Sequence, residues 1–158
     1  EAPFFRPGTF DEFFAPHYRE LVVRTHELGM QFWLHSCGNI GPLIPALLDL
    51  GLDVMHPVQR FAVDERLAAA CCSGRICVWA GIDVQRILPF GTPEDVRAEV
   101  RRVARHWWRP EGRLVLGAGN MLHEDCPSGN IAALFDECCS PDLGGVPPRA
   151  PGAPPARF

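Results

Sequence analysis

Lysine is absent from this chain of 158 residues, and all fifteen of its basic residues are arginine. That excludes Schiff-base chemistry and a P-loop lysine within these residues. No apolar run approaches the length needed to span a bilayer. A net charge of −4 offers no electrostatic attraction to nucleic acid or anionic lipid, so neither is expected as a partner. The glycine-rich phosphate turn of a dinucleotide-binding sheet is also missing after the first strand-like segment. What is present is an ordinary globular composition, 47% hydrophobic and 22% charged, with length enough for one core. The seven cysteines include the adjacent pairs Cys71-Cys72 and Cys138-Cys139, which is no secreted disulfide framework. A cytoplasmic location is therefore expected. The chain opens on Glu1 rather than Met, and it is expected to be part of something longer.

Element signals alternate strictly. Phe10-Asp11-Glu12 opens a helical stretch with Asp11 as its cap, and Phe14, Tyr18, Leu21, Val22 and Leu28 continue it until Gly29. Met30–Leu34 reads as a strand. Leu43, Ile44, Leu47, Leu48 and Leu50 then form a helix closed by Gly51, and Leu52–His56 is the next strand. Asp64 starts a short helix through Cys72, Arg75–Ala80 is a third strand, and Thr92-Pro93-Glu94-Asp95 is a strong helix start. Arg113–Leu116 is the fourth strand and Pro127 opens a last helix. From Ser140 on, Pro, Gly and Ala crowd into a tail expected to be disordered. The expected organisation is thus an α/β domain over 1–139 and a low-complexity tail over 140–158.

Four strands separated by helices imply βα units on a parallel sheet, whose reactive residues gather at the strand C-termini. The strand-end loops carry His35 and Cys37, then His56 and Gln59, then Asp83, then Asn120 and His123. His35 and Cys37 are two apart at a strand end, so they should project together. An imidazole and a thiol are ligand types that zinc prefers; the plain alternative is a strand-end His and a buried Cys. Asp83 is read either as a substrate or water contact or as a cap for the following helix. His56 beside Pro57 reads as structural. Cys71, Cys72, Cys77, Cys138 and Cys139 read as packing residues, Trp107-Trp108 as cover on the outside, and Arg97, Arg101, Arg102 and Arg105 as a solvated helix face.

Four stretches, in order, resemble the uroporphyrinogen decarboxylase superfamily: His35-Ser36-Cys37-Gly38-Asn39-Ile40, Gly81-Ile82-Asp83, Gly91-Thr92-Pro93-Glu94-Asp95-Val96, and Gly119-Asn120-Met121-Leu122-His123 leading to Pro127 and Asn130-Ile131. The resemblance implies a (β/α)8 TIM barrel, of which this chain would be the C-terminal half, four parallel βα units. It also implies one of two chemistries. Cobamide-dependent methyltransferases of the superfamily hold zinc through a His-x-Cys, matched by His35 and Cys37, and a later Cys. That later turn here reads Ala118-Gly119-Asn120, so His123 is the expected third ligand or catalytic group, ahead of Cys126 and Asp83. The tetrapyrrole decarboxylases need no metal and use a loop histidine whose position falls on Gly119.

The expected function is therefore a zinc-thiol methyltransferase-like protein. The resemblance implies zinc as the expected cofactor and a cobamide on a partner corrinoid protein as the expected methyl donor. His35, Cys37 and His123 are the expected metal ligands, and His123 and Asp83 the expected catalytic residues. A small-molecule thiol or tetrapyrrole is the expected substrate. The alternatives are uroporphyrinogen decarboxylase, or an inactive fragment that pairs with an N-terminal half barrel or with its own copies.

Overall fold

The computed structural model describes residues 2–110, 113–143 and 145–147. Four parallel strands, β1 (Trp33–His35), β2 (Val54–His56), β3 (Cys77–Ile82) and β4 (Leu114–Ala118), lie side by side in sequence order. Every crossover is helical, as parallel pairing requires. The result is part of a TIM barrel, with α1 (Pro7–Phe13), α2 (Ala15–Glu27), α3 (Ile44–Asp49), α4 (Glu65–Cys72), α5 (Ile87–Phe90), α6 (Pro93–Trp107) and α7 (Ser128–Cys138) around it. No helix among the described residues is long and apolar enough to cross a membrane.

The first helical stretch differs from expectation. Pro7 begins α1, so Asp11 lies inside that helix rather than capping it. The helix breaks at Phe14, because Pro16 at the second position of α2 lacks an N–H and crowds the preceding turn. Gly29 and Gly51 close α2 and the α3 turn with φ of 71° and 82°, a conformation that glycine adopts without strain. Asp64 caps α4 through the backbone amides of Arg66 and Leu67. Thr92 and Asp95 form a reciprocal capping box at α6. The short α5 is an addition to the expected order of elements. Of the expected tail over 140–158, residues 144 and 148–158 lie outside the described residues, while Leu143 packs against the core.

Alternation along the strands sorts the sheet into two faces. Leu34, Met55, Val78, Ala80 and Ile82 point outward and are buried with Val96, Val100 and Val103 of α6. By the pairing register, Trp33, His35, Val54, His56, Cys77, Trp79, Gly81 and Gly117 belong to the concave face. Burying one such valine is worth about 1.5–3 kcal/mol.

Arg97, Arg101 and Arg102 of α6 are not a free solvated face, whereas Arg105 is exposed as expected. Arg102 pairs with Glu99 at 2.8 Å and Glu65 at 2.9 Å, and Arg60 reaches Glu99 at 2.7 Å. Arg101 clasps Glu137 of α7 with two hydrogen bonds, of 2.8 and 3.1 Å. Glu99 and Glu137 are only 5% and 4% exposed; the Arg102–Glu99 pair lies within α6, and the Arg102–Glu65, Arg60–Glu99 and Arg101–Glu137 pairs bolt it to its neighbours. Trp107 is likewise buried in the core instead of covering the outside.

Burial alone would raise the Glu99 carboxyl, but hydrogen bonds and charge from Arg102 and then Arg60 outweigh it and hold the pKa below the ordinary value. The ionised carboxylate therefore stabilises the fold above the ordinary Glu pKa, and this contribution is lost as pH falls through the folded value. Arg102→Ala should cost about 1.5–3 kcal/mol in urea unfolding, the scale of lost hydrogen bonds to a charged group, because Arg60 still pairs with the buried Glu99. In Glu99→Gln, the acid side of the stability–pH curve should flatten.

Candidate active site

At the C-terminal ends of the strands, loops from all four βα units enclose a cavity of about 570 Å³. Cys37 and Gly38 come from the β1 loop, Gln59 and Phe61 from β2, Asp83 and Arg86 from β3, and Asn120, Met121 and His123 from β4. A cleft of that size suits a small-molecule ligand. Register explains the assembly. His35 pairs with His56 across β1 and β2, and the backbone N–H of Ser36 continues the ladder to the His56 carbonyl at 2.8 Å.

His35 and Cys37 do project together, with Nε2 3.2 Å from the Cys37 Sγ. The His35 Nδ1 lies 2.7 Å from the His56 Nδ1, and the His56 Nε2 lies 3.4 Å from the Ala118 carbonyl oxygen. The His56 ring also stands 4.4 Å from the Trp79 ring. Burial is the main cause that lowers the His56 pKa. The Ala118 carbonyl opposes the shift, and the neighbouring His35 adds to it. Both His35 and Cys37 are exposed, and Cys37 lines the cleft.

Two further contacts fix the sulfur. The Gly38 N–H donates to the Gln59 side-chain oxygen and pins the loop that carries Cys37. Asn120 accepts from the Met121 N–H at 2.7 Å through its Oδ1, which identifies its Nδ2 as the atom 3.3 Å from the Cys37 Sγ. Asn120 can reach the sulfur because β3 and β4 approach very closely at their ends. A Cβ on Gly81 would lie 2.3 Å from the Gly119 Cα, and the Gly119 N–H donates to the Ile82 carbonyl at 2.8 Å.

The other expected residues are placed differently. The Asp83 Oδ1 accepts from the backbone N–H of Gln85, Arg86 and Ile87 at 3.2, 2.5 and 3.0 Å, so that oxygen organises the turn into α5. His123 is exposed and lines the same cavity as Cys37. Cys126 is 7% exposed and packs in the core. Among the described residues, no group of three His, Cys, Asp or Glu is gathered closely enough to hold a metal. The structure therefore brings together two of the expected ligands, His35 and Cys37. It adds His56, Asn120 and Gln59, whose contacts no spacing rule revealed.

The family model for uroporphyrinogen decarboxylase (URO-D) matches residues 2–140. The chain belongs to the uroporphyrinogen decarboxylase family. A similar solved structure is a methyltransferase from Methanosarcina mazei, 18% identical, with a TM-score of 0.65. The similarity covers 83% of this chain and 36% of that one, and at this identity it shows the shared fold. Among curated proteins, none matches significantly. In this URO-D family chain, the site lies where a TIM barrel carries its chemistry, at the strand C-termini.

The seven cysteines separate sharply in environment. Burial pushes the thiol of Cys72 up to about 12, and those of Cys77 and Cys138 up to about 11, while Cys71 and Cys139 are exposed rather than packed. Iodoacetamide near neutral pH should therefore spare Cys72, Cys77, Cys126 and Cys138 in the folded protein. Cys37, flanked by an imidazole and an amide donor, should be alkylated first. His35→Ala should slow that reaction by about tenfold, read by peptide mass spectrometry. Gly81→Ala should cost about 2 kcal/mol by overpacking and reduce the preference for Cys37, because Asn120 would be carried away with Gly119.

Proposed function

We propose that this chain is the thiol-handling, zinc-binding portion of a methyltransferase-type member of the family. In this reading its methyl donor is a cobamide carried by a partner corrinoid protein. The observation that carries it is the 3.2 Å contact between the His35 Nε2 and the Cys37 Sγ at the wall of the cleft. A nitrogen and a sulfur bound to one tetrahedral zinc stand roughly 3.5 Å apart, given bonds of about 2.0 and 2.3 Å. The pair observed fits two corners of such a site with a small widening. His123, exposed on the same cavity, is the third donor in this reading. Asp83 is engaged with backbone amides and Cys126 is packed in the core.

When bound, zinc would supply the Lewis acidity that keeps an acceptor thiol ionised at neutral pH. The chain's own residues account for the rest. The Asn120 amide donates to the Cys37 sulfur and disperses negative charge on it. Gln59 holds the loop, and Phe61, Val84 and Met121 line the cavity with apolar surface for a substrate's carbon skeleton. Methyl transfer to sulfur is a displacement at carbon, so positioning the acceptor is the main service such a cleft provides. All seven cysteines are free, which suits a reducing cytoplasm.

Decarboxylation of a tetrapyrrole is the second reading, favoured by the description of the family itself. Gly119, which cannot transfer a proton, occupies the turn where the resemblance expects the decarboxylase histidine.

Purified protein should carry zinc in excess of a Cys37→Ala control, and methylcobalamin with a small thiol should yield the thioether only in the native chain. Equal metal content in the two proteins would end the zinc reading. Loss of carboxyl groups from uroporphyrinogen, without methyl transfer, would establish the second.

A further inference from the structure

The contacts around His35 form a chain whose direction is fixed at one end. The Ala118 carbonyl oxygen can only accept, so the His56 Nε2, 3.4 Å away, must carry the proton between them. In the neutral ring the His56 Nδ1 is then bare, and the proton in the 2.7 Å contact between the two Nδ1 atoms belongs to His35. That leaves the His35 Nε2 bare and facing the Cys37 Sγ at 3.2 Å, ready to accept from the thiol. The Asn120 Nδ2 donates to the same sulfur at 3.3 Å. Every group then has a partner of the right kind.

The opposite direction fails at two places. It sets a bare His56 Nε2 against the Ala118 oxygen, lone pair against lone pair. It also points the His35 Nε2–H and the Asn120 N–H at the sulfur together, and the thiol proton loses its acceptor.

We propose that His56 is a positioning residue: with the Ala118 carbonyl it locks His35 in the Nδ1–H tautomer and so aims a bare Nε2 at Cys37. The geometry that supports the role is also that of a partner which holds a metal-binding histidine through its other ring nitrogen. The inference deepens the proposed function and rests on it only for its consequence for the metal; the tautomer itself is a property of the metal-free chain. The Trp79 ring, 4.4 Å from His56 and flanked edge-on by Trp33 at 6.1 Å, holds the His56 plane in place.

The test is nitrogen-15 NMR of the imidazole rings in chelator-treated protein at mildly alkaline pH. The native chain should show a protonated Nδ1 and a bare Nε2 on His35. His56→Phe should abolish that preference and turn His35 toward the Nε2–H form. His56→Asn, whose side-chain oxygen falls near the lost Nδ1, should restore it. An Nε2–H tautomer of His35 in the native chain would overturn the proposal, and so would an unchanged tautomer in a folded His56→Phe. Should His56→Phe not fold, the native spectrum and His56→Asn still decide.

Titration with Co²⁺ supplies the second readout. The sulfur-to-cobalt absorption band should appear in the native chain and require about 10–100-fold more metal in His56→Phe. Equal affinity in the two would remove His56 from the metal's support. No band in the native chain would overturn the zinc reading while the tautomer measurement still judges His56.

Discussion

The parallel register of β1 against β2 pairs Trp33 with Val54 and His35 with His56, and the chemistry at the strand ends depends on it. Side chains alternate in strict period two, so a slip of one residue would carry His35 into the helical layer and bring Leu34 to the cleft. The buried positions make such a slip costly. Leu34, Met55, Val78 and Ile82 all sit under helices, and exchanging them for histidine and tryptophan would strand polar atoms in an apolar layer. The hydrophobic core therefore does more than stabilise the sheet. It dictates which two imidazoles meet, and at what height above the strand ends.

A second constraint acts on the opposite side of the cleft. The approach of Gly81 to Gly119 brings the last strand-end loop over the sheet, and Asn120 follows directly from that crossing. Behind it, α6 is tied on three sides: its Arg101 holds Glu137, its Arg102 holds Glu65, and its Glu99 is held by Arg60. The buried Asn130 donates to the carbonyls of Leu88 and Gly91 at 2.9 and 2.7 Å, and so ties α7 to the α5–α6 connection. The cysteine sulfur is thus reached from two directions by side chains rooted in separate parts of the fold. Its acceptor comes from the first strand and its donor from the loop after the fourth.

Much of this frame was legible in the residue order, for identifiable reasons. Strong local signals, such as the Thr92-Pro93-Glu94-Asp95 cap and the glycines at 29 and 51, act within a turn and need no tertiary information. The His35–Cys37 contact was legible too, because two residues of one strand share a face by geometry alone. Contacts across 21 and 83 positions, His35 with His56 and Cys37 with Asn120, depend on register and crossover, which the one-dimensional pattern does not contain. The arginine run of α6 misled for a related reason. Helical spacing beside acids describes a solvated face and a buried interhelical clasp equally well until Glu99 and Glu137 are known to be covered. Pro16 is the opposite case: the apolar spacing from Phe14 to Leu28 runs straight past it, yet a proline is itself a local mark of a helix start.

Trp79 supports the His56 ring at a cost in stability. Its indole Nε1 is buried without a hydrogen-bond partner among the described residues, an arrangement that costs about 1–3 kcal/mol. The ring is held there from several sides. A Cβ on Gly117 would lie 2.8 Å from that nitrogen, so only glycine lets the indole lie so close to β4. Trp33 meets it edge-on and His56 lies against it. A leucine could fill such a space without an orphaned donor, but it would offer no flat surface to an imidazole. The unsatisfied indole and the glycine opposite it are therefore best understood together, as a local loss of stability that keeps the His56 ring in the plane from which it reaches both His35 and the Ala118 carbonyl.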